Sequence, residues 1–199
     1  LPDAITLSSI LNACGEIGAV GKGEKIHADI IRQGLLKEDV ALGNALVDMY
    51  AKCGLLLKAQ EVLQGLPIRS AVSWSVLIAG YIQQGKCQEA LKCFNQMQCD
   101  GVTPDAITFI CVLKACGNIG IVEHGRLVHD QLIRNEFDWD PELKNALIDM
   151  YANCMTAEET HKVLDSMLER DVFSWSSVIS AYARSGEPEL VRKCLEDMQ

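Results

Sequence analysis

The sequence predicts an all-α protein, a solenoid of stacked helix-turn-helix units with about twelve helices. Three observations predict it. The chain is nearly written twice: Asn44-Ala45-Leu46-Val47-Asp48-Met49-Tyr50-Ala51-Lys52-Cys53 returns 101 residues later as Asn145-Ala146-Leu147-Ile148-Asp149-Met150-Tyr151-Ala152-Asn153-Cys154. Apolar runs end at Gly15, Gly54, Gly85, Gly117 and Gly186, each followed by a second apolar run. Glycine just past a periodic stretch is a helix stop, because it enters the left-handed conformation without a Cβ penalty. Finally, Leu42, Leu46, Met49 and Cys53 fall on one helical stripe while Asn44, Asp48 and Lys52 fall on another.

These signals divide the chain into units of about 4–39, 40–70, 71–105, 106–140, 141–171 and 172–199, the last incomplete. The first opens on Pro2-Asp3-Ala4-Ile5-Thr6, which returns as Pro104-Asp105-Ala106-Ile107-Thr108 at the head of the fourth; Ala13-Cys14-Gly15 and His27 return as Ala115-Cys116-Gly117 and His129. The second and fifth carry the repeated decapeptide. The third and sixth share Ser73-Trp74-Ser75 and Ser174-Trp175-Ser176. Each unit should be two helices of roughly 11 to 15 residues around a Gly turn. One departure stands out: Cys154-Met155 lacks the expected Gly. A hairpin of this size cannot bury its apolar face alone, so neighbours must stack and leave a concave wall.

Composition fits a folded chain, 49% hydrophobic and 23% charged, without an apolar run long enough to span a bilayer. The net charge of −9 argues against binding driven by bulk phosphate neutralisation. Nine cysteines, an odd number set mostly in apolar helical patterns, read as free thiols in a reducing compartment. Leu1 at the start and Met198-Gln199 at the end read as a piece of a longer chain.

Unit lengths of 36, 31, 35, 35 and 31, with "NALVDMYAKCG" and "SWSVLIAGYIQQGKCQEALKCFNQMQCDGVTPD", resemble the pentatricopeptide repeats of plant organelle proteins. The order long, short, standard is similar to their PLS subclass. The resemblance covers essentially the whole chain. It implies a right-handed α-solenoid binding single-stranded RNA along its concave wall, one base per repeat, in the mitochondrion or chloroplast. It further implies an RNA-editing or RNA-processing factor, no cofactor, and engagement of an editing partner protein through the long units.

By the same resemblance, the fifth and last residues of a unit read one base. That assigns Asn44 with Ser70, Ser75 with Asp105, and Asn145 with Asp171; the long units offer Ser8 with Asp39 and Ile110 with Asp140. An ionised Asp only accepts hydrogen bonds, so Asp105 and Asp171 favour guanine or uracil, whose Watson–Crick edges carry an imino N–H. The family's pairing of Ser with purine and Asn with pyrimidine resolves the choice, giving 5′-C-G-N-U-3′ across units two to five. The second residue of each unit flanks the base: Ile5, Ala41, Val72, Ile107, Glu142 and Phe173. Lys52 and Arg184 are candidate phosphate contacts.

Other readings compete. Asn44 and Asn145 suit helix N-caps, Asp105 and Asp171 suit helix starts, and Asp48 with Lys52 makes an i,i+4 ion pair. Trp74 and Trp175 read as core, and His27 and His129 as packing residues. No convergent catalytic set, metal-ligand spacing or phosphate-cradling loop occurs, so the expectation is a non-enzyme without metal. A protein-binding solenoid that does not itself read RNA is the alternative function.

Overall fold

In the computed structural model, which describes residues 3–37, 39–135, 137, 140–167 and 170–198, the chain runs through twelve α-helices and no strand among the described residues. In order they are α1 (Ala4–Glu16), α2 (Val20–Gln33), α3 (Val40–Lys52), α4 (Leu56–Gly65), α5 (Ala71–Gln83) and α6 (Cys87–Cys99). There follow α7 (Ala106–Ile119), α8 (Val122–Arg134), α9 (Pro141–Asn153), α10 (Ala157–Asp165), α11 (Val172–Ser185) and α12 (Pro188–Asp197). A short 3₁₀ turn, Leu35–Lys37, precedes α3.

Every odd-numbered helix starts behind a side chain that accepts from its first turn. Asp3, Asp39, Ser70, Asp105, Asp140 and Asp171 take the backbone N–H of Thr6, Leu42, Ser73, Thr108, Leu143 and Ser174 at 2.8, 3.0, 3.2, 2.8, 3.3 and 2.7 Å. Each such cap contributes about 1 kcal/mol by satisfying an amide that has no partner inside the helix. The caps of the even-numbered helices α2, α4, α6, α8, α10 and α12 make no side-chain hydrogen bond. Those helices depend on packing, and three of them, α4, α10 and α12, have only 10, 9 and 10 residues, fewer than the spacing predicts. The short units are thus short in their second helix.

The glycines correct one expectation. Gly54, Gly85 and Gly186 do stand in the left-handed region behind the helix ends, with φ of 77, 72 and 75°. Gly15 and Gly117 do not: they lie inside α1 and α7, and the turns come three residues later, at Gly18 and Gly120. A Cβ on Gly15 would sit 3.3 Å from the Met49 Cα, and one on Gly117 would sit 3.3 Å from the Met150 Cα. These two glycines serve close helix approach. Met155 takes the place of the missing turn glycine and carries its conformation, φ 59°.

The helices gather into two compact units divided between Thr108 and Phe109. In the first, α3 packs against α1 on one side and α5 on the other, with α2 and α4 behind it. Leu42, Leu46, Val47, Met49, Tyr50 and Ala51 are buried as a result, each large apolar side chain contributing roughly 1.5–3 kcal/mol. In the second, α9 packs against α8, α10 and α11, and buries Leu143, Leu147, Ile148, Met150, Tyr151 and Ala152. What stays open on α3 is the stripe of Ala41, Asn44, Asp48 and Lys52.

Candidate functional site

The start of α5 lies beside the first turns of α3, which brings the α5 cap to the open stripe. Ser70 Oγ donates to Asn44 Oδ1 at 3.1 Å. The matched pair in the second unit has the opposite sense: Asn145 Nδ2 donates to Asp171 Oδ2 at 3.1 Å. The carboxylate divides its work, Oδ1 capping α11 through Ser174 N at 2.7 Å and Oδ2 taking the amide. The Ser174 N–H, with the Asn145 amide in support, holds the Asp171 carboxyl below its ordinary range, so it is an acceptor only at neutral pH. This fixes the Asn145 amide: turned over, its oxygen would face a carboxylate oxygen. Asn145 Oδ1 is left shielded from water and without a partner.

Asn44 and Asn145 are therefore not helix caps, as one sequence reading had them. They are the fifth residues of α3 and α9, whose caps are Asp39 and Asp140. Asp105 and Asp171 do serve the helices that follow them, and Asp105 Oδ1 accepts from both N and Oγ1 of Thr108, at 2.8 and 2.6 Å. Its proposed companion Ser75 is buried and donates within its own helix to Val72 O at 3.0 Å; no hydrogen bond joins the two. Asp39 caps α3 without bonding Ser8, Asp140 caps α9, and Ile110 is half-buried.

The flanking positions are open. Ile5, Val72, Ile107 and Phe173 are 79, 51, 63 and 51% exposed, large apolar side chains at the same place in four units, and Ala41 and Glu142 are exposed too. The candidate cations are engaged. Lys52 Nζ bridges Glu16 at 2.7 Å and Asp48 at 2.9 Å, and Arg184 donates to Asn153 Oδ1 at 3.2 Å and Ala152 O at 2.6 Å. Trp74 and Trp175 are core residues. Among the described residues no group of three or more His, Cys, Asp or Glu side chains could hold a metal ion, and no helix is long and apolar enough to cross a membrane.

The PPR repeat family matches residues 69–118, and the PPR repeat matches 44–67, 144–172 and 173–199, together more than half of the chain. The chain belongs to the pentatricopeptide repeat family. A chloroplastic pentatricopeptide repeat-containing protein of Arabidopsis thaliana is 39% identical over 184 residues, 92% of this chain and 34% of that protein. A putative mitochondrial one from the same plant is 33% identical over 195 residues, 98% of this chain and 30% of that protein. The chain thus spans about a third of the length of these relatives. Among solved structures, the pentatricopeptide repeat protein PPR10 in complex with an 18-nt psaJ RNA element superposes on all of this chain, and on 30% of its own, with TM-score 0.79 at 22% identity. That likeness is one of fold, and the fold class is the one expected.

Two recurring features of these pentatricopeptide units escape a reading by spacing alone. Tyr50, Tyr81, Tyr151 and Tyr182 each stand eleventh in an odd-numbered helix. Tyr50 and Tyr151 pair with His27 and His129, Tyr81 donates to Gln60 Oε1 at 2.7 Å, and Tyr182 lies against His161 with ring centroids 5.8 Å apart. The signal was present in the fixed tyrosine position. The second feature is the third residue of the helix, Ser73, Thr108 or Ser174, which bonds the cap in front of it. A serine in a first turn is too ordinary for sequence to single out.

Proposed function

We propose that this chain is part of the RNA-reading array of a longer plant organelle protein, binding single-stranded RNA with one base per unit. The observation that carries the reading is the opposite sense of the two asparagine pairs. At Asn44 the amide oxygen is occupied by the Ser70 hydroxyl, which leaves Nδ2 to donate to a base; cytosine, whose ring nitrogen accepts, is its match. At Asn145 the amide nitrogen is committed to Asp171, and Oδ1, shielded from water but without a protein partner, is the acceptor left for the imino N–H of uracil once the groups covering it give way to the base. Ser75 with Asp105 reads guanine, and the Ile110 unit reads no particular base. The partial target is 5′-C-G-N-U-3′. Exposed Ile5, Val72, Ile107 and Phe173 supply faces against which bases stack.

The unit order long, short, standard, with units of 4–39, 40–70, 71–105, 106–140, 141–171 and 172–199, supports reading the parent protein as one of the PLS subclass, and an editing or processing factor is the role that fits that reading. Relatives named chloroplastic and mitochondrial support an organelle. The array binds and does not catalyse. A second reading, engagement of a protein partner through the long units, is favoured by matched hollows of about 460 and 290 Å³. His27 and Ile31 line the first, and His129 and Ile133 the second.

Titration of labelled single-stranded RNA containing C-G-N-U and its permutations at low salt tests the primary reading. Tighter binding to the stated order is expected. Equal binding to every permutation, or none, overturns it. Asn145→Ser should move the last preference from U toward G without loss of fold; an unchanged preference removes Asn145 from the reading set.

A further inference from the structure

Resting on that reading, we propose that Ser73, the third residue of α5, is a positioning residue for base discrimination: it turns the Ser70 hydroxyl proton toward Asn44, so that Asn44 meets the base with its amide N–H. Ser70 Oγ has one proton and two lone pairs. The backbone N–H of Ser73 occupies one lone pair at 3.2 Å. Ser73 Oγ lies 3.0 Å from Ser70 Oγ and accepts from Ser70 N at 3.0 Å. The Ser73 proton has two acceptors at 3.0 Å, Ser70 O and Ser70 Oγ. Given to Ser70 Oγ, it fills the second lone pair, and the Ser70 proton is left for Asn44 Oδ1 at 3.1 Å. A chain results, from Ser70 N–H through the Ser73 and Ser70 hydroxyls to the Asn44 amide oxygen, in which each donor is polarised by the one before it. Ser73 is fully buried, so no water competes for its own hydroxyl, while Ser70 and Asn44 are half-buried at the open face.

Direction matters because a hydroxyl can also accept. A Ser70 hydroxyl that accepted from Asn44 Nδ2 would turn the amide over and present its oxygen, the sense that suits uracil. The second unit supplies the control. Ser174 stands to Asp171 as Ser73 stands to Ser70, its N–H on Oδ1 at 2.7 Å and its hydroxyl on Asp171 O at 2.9 Å. An ionised carboxylate has no proton to aim, so Ser174 caps without selecting.

The experiment measures binding of this chain to labelled RNAs that differ only in C or U opposite Asn44 and Ser70, and in a second set opposite Asn145 and Asp171. Ser73→Ala should reduce the C-over-U ratio at the first base by about two- to tenfold, the equivalent of one hydrogen bond. Ser73→Thr should restore the ratio, since Thr108 makes the corresponding side-chain bond to Asp105. Ser174→Ala should cost comparable thermal stability yet leave the U-over-C ratio at its own base unchanged. If Ser73→Ala does not fold, Ser73→Cys, close in size and a weak donor, should lower the ratio instead. A parental ratio in the folded Ala or Cys variant overturns the proposal, as does an equal loss of selectivity in Ser174→Ala. Absence of any C-over-U preference in the parent chain overturns the RNA-reading function itself, a separate result.

Discussion

His27 Nδ1 and the Tyr50 hydroxyl lie 2.9 Å apart with their rings edge to face, and His129 and Tyr151 repeat the contact at the same 2.9 Å. Burial pushes both phenols up, Tyr151 to about 12, so each hydroxyl keeps its proton, and the imidazole tautomer sets which partner donates. The pair ties the second helix of a long unit to the first helix of the short unit after it.

Burial also lowers the pKa of His27 and His129; Lys58 adds to the effect at His27, while Glu24 opposes it there and Asp130 opposes it at His129. The folded chain therefore binds fewer protons than the unfolded chain just below the ordinary histidine value of about 6.5. The stability these histidines contribute is present above that value and is lost as pH falls through their lowered folded values. Urea midpoints should fall between pH 7.5 and 5.5, and His27→Gln with His129→Gln should flatten that part of the profile. An unchanged slope in the double variant would show that other groups carry it.

Met155 holds a left-handed backbone with its side chain 68% exposed. Met155→Gly should stabilise the chain by about 1 kcal/mol, since a β-carbon is penalised there and little packing is lost. Gly54→Ala, at the matched turn with φ 77°, should destabilise by a similar amount. Urea denaturation of both variants checks the pair of signs.

Glu24 on α2 and Lys58 on α4 form an ion pair, and at the same repeat positions Arg126 on α8 and Glu159 on α10 form one with the charges exchanged. Lys58→Glu should lower stability by about 0.2–1 kcal/mol, and adding Glu24→Arg should recover most of it, because exposed pairs of this kind are worth that much. A double-mutant cycle with no coupling would mean the bridge is decorative.

RNA affinity should depend only weakly on salt. Two phosphate contacts, from Lys52 and Arg184, would give a slope of log K against log salt of about −1.4. Both side chains must first leave partners in the protein, Lys52 its two carboxylates and Arg184 a backbone carbonyl. A slope several times steeper, measured between 50 and 200 mM salt, would point to a basic surface that the net charge of −9 does not suggest.

Repetition made the fold legible. The decapeptide at 44–53 and 145–154 fixed the period, and residues such as Leu42, Leu46 and Met49 fixed the buried face. Gly15 and Gly117 were misread because a glycine required for helix contact and one required for a turn look alike in sequence; only the nearness of Met49 and Met150 separates them. The candidate site was legible as positions through family resemblance, whereas the donor sense at Asn44 and Asn145 depends on amide orientation, which no spacing encodes. Ser73 stayed invisible for the same reason.

The side chain that closes one unit also starts a helix of the next, as Ser70 does for α5 and Asp171 for α11. On the proposed function, a change of nucleotide preference made at these two positions is therefore also a change of folding stability. Substitutes that cap well, Ser, Thr, Asp and Asn, are tolerated, and an aliphatic one costs the following helix about 1 kcal/mol whatever it does for binding. The alphabet with which such an array can be rewritten is limited by helix initiation before it is limited by nucleobase chemistry.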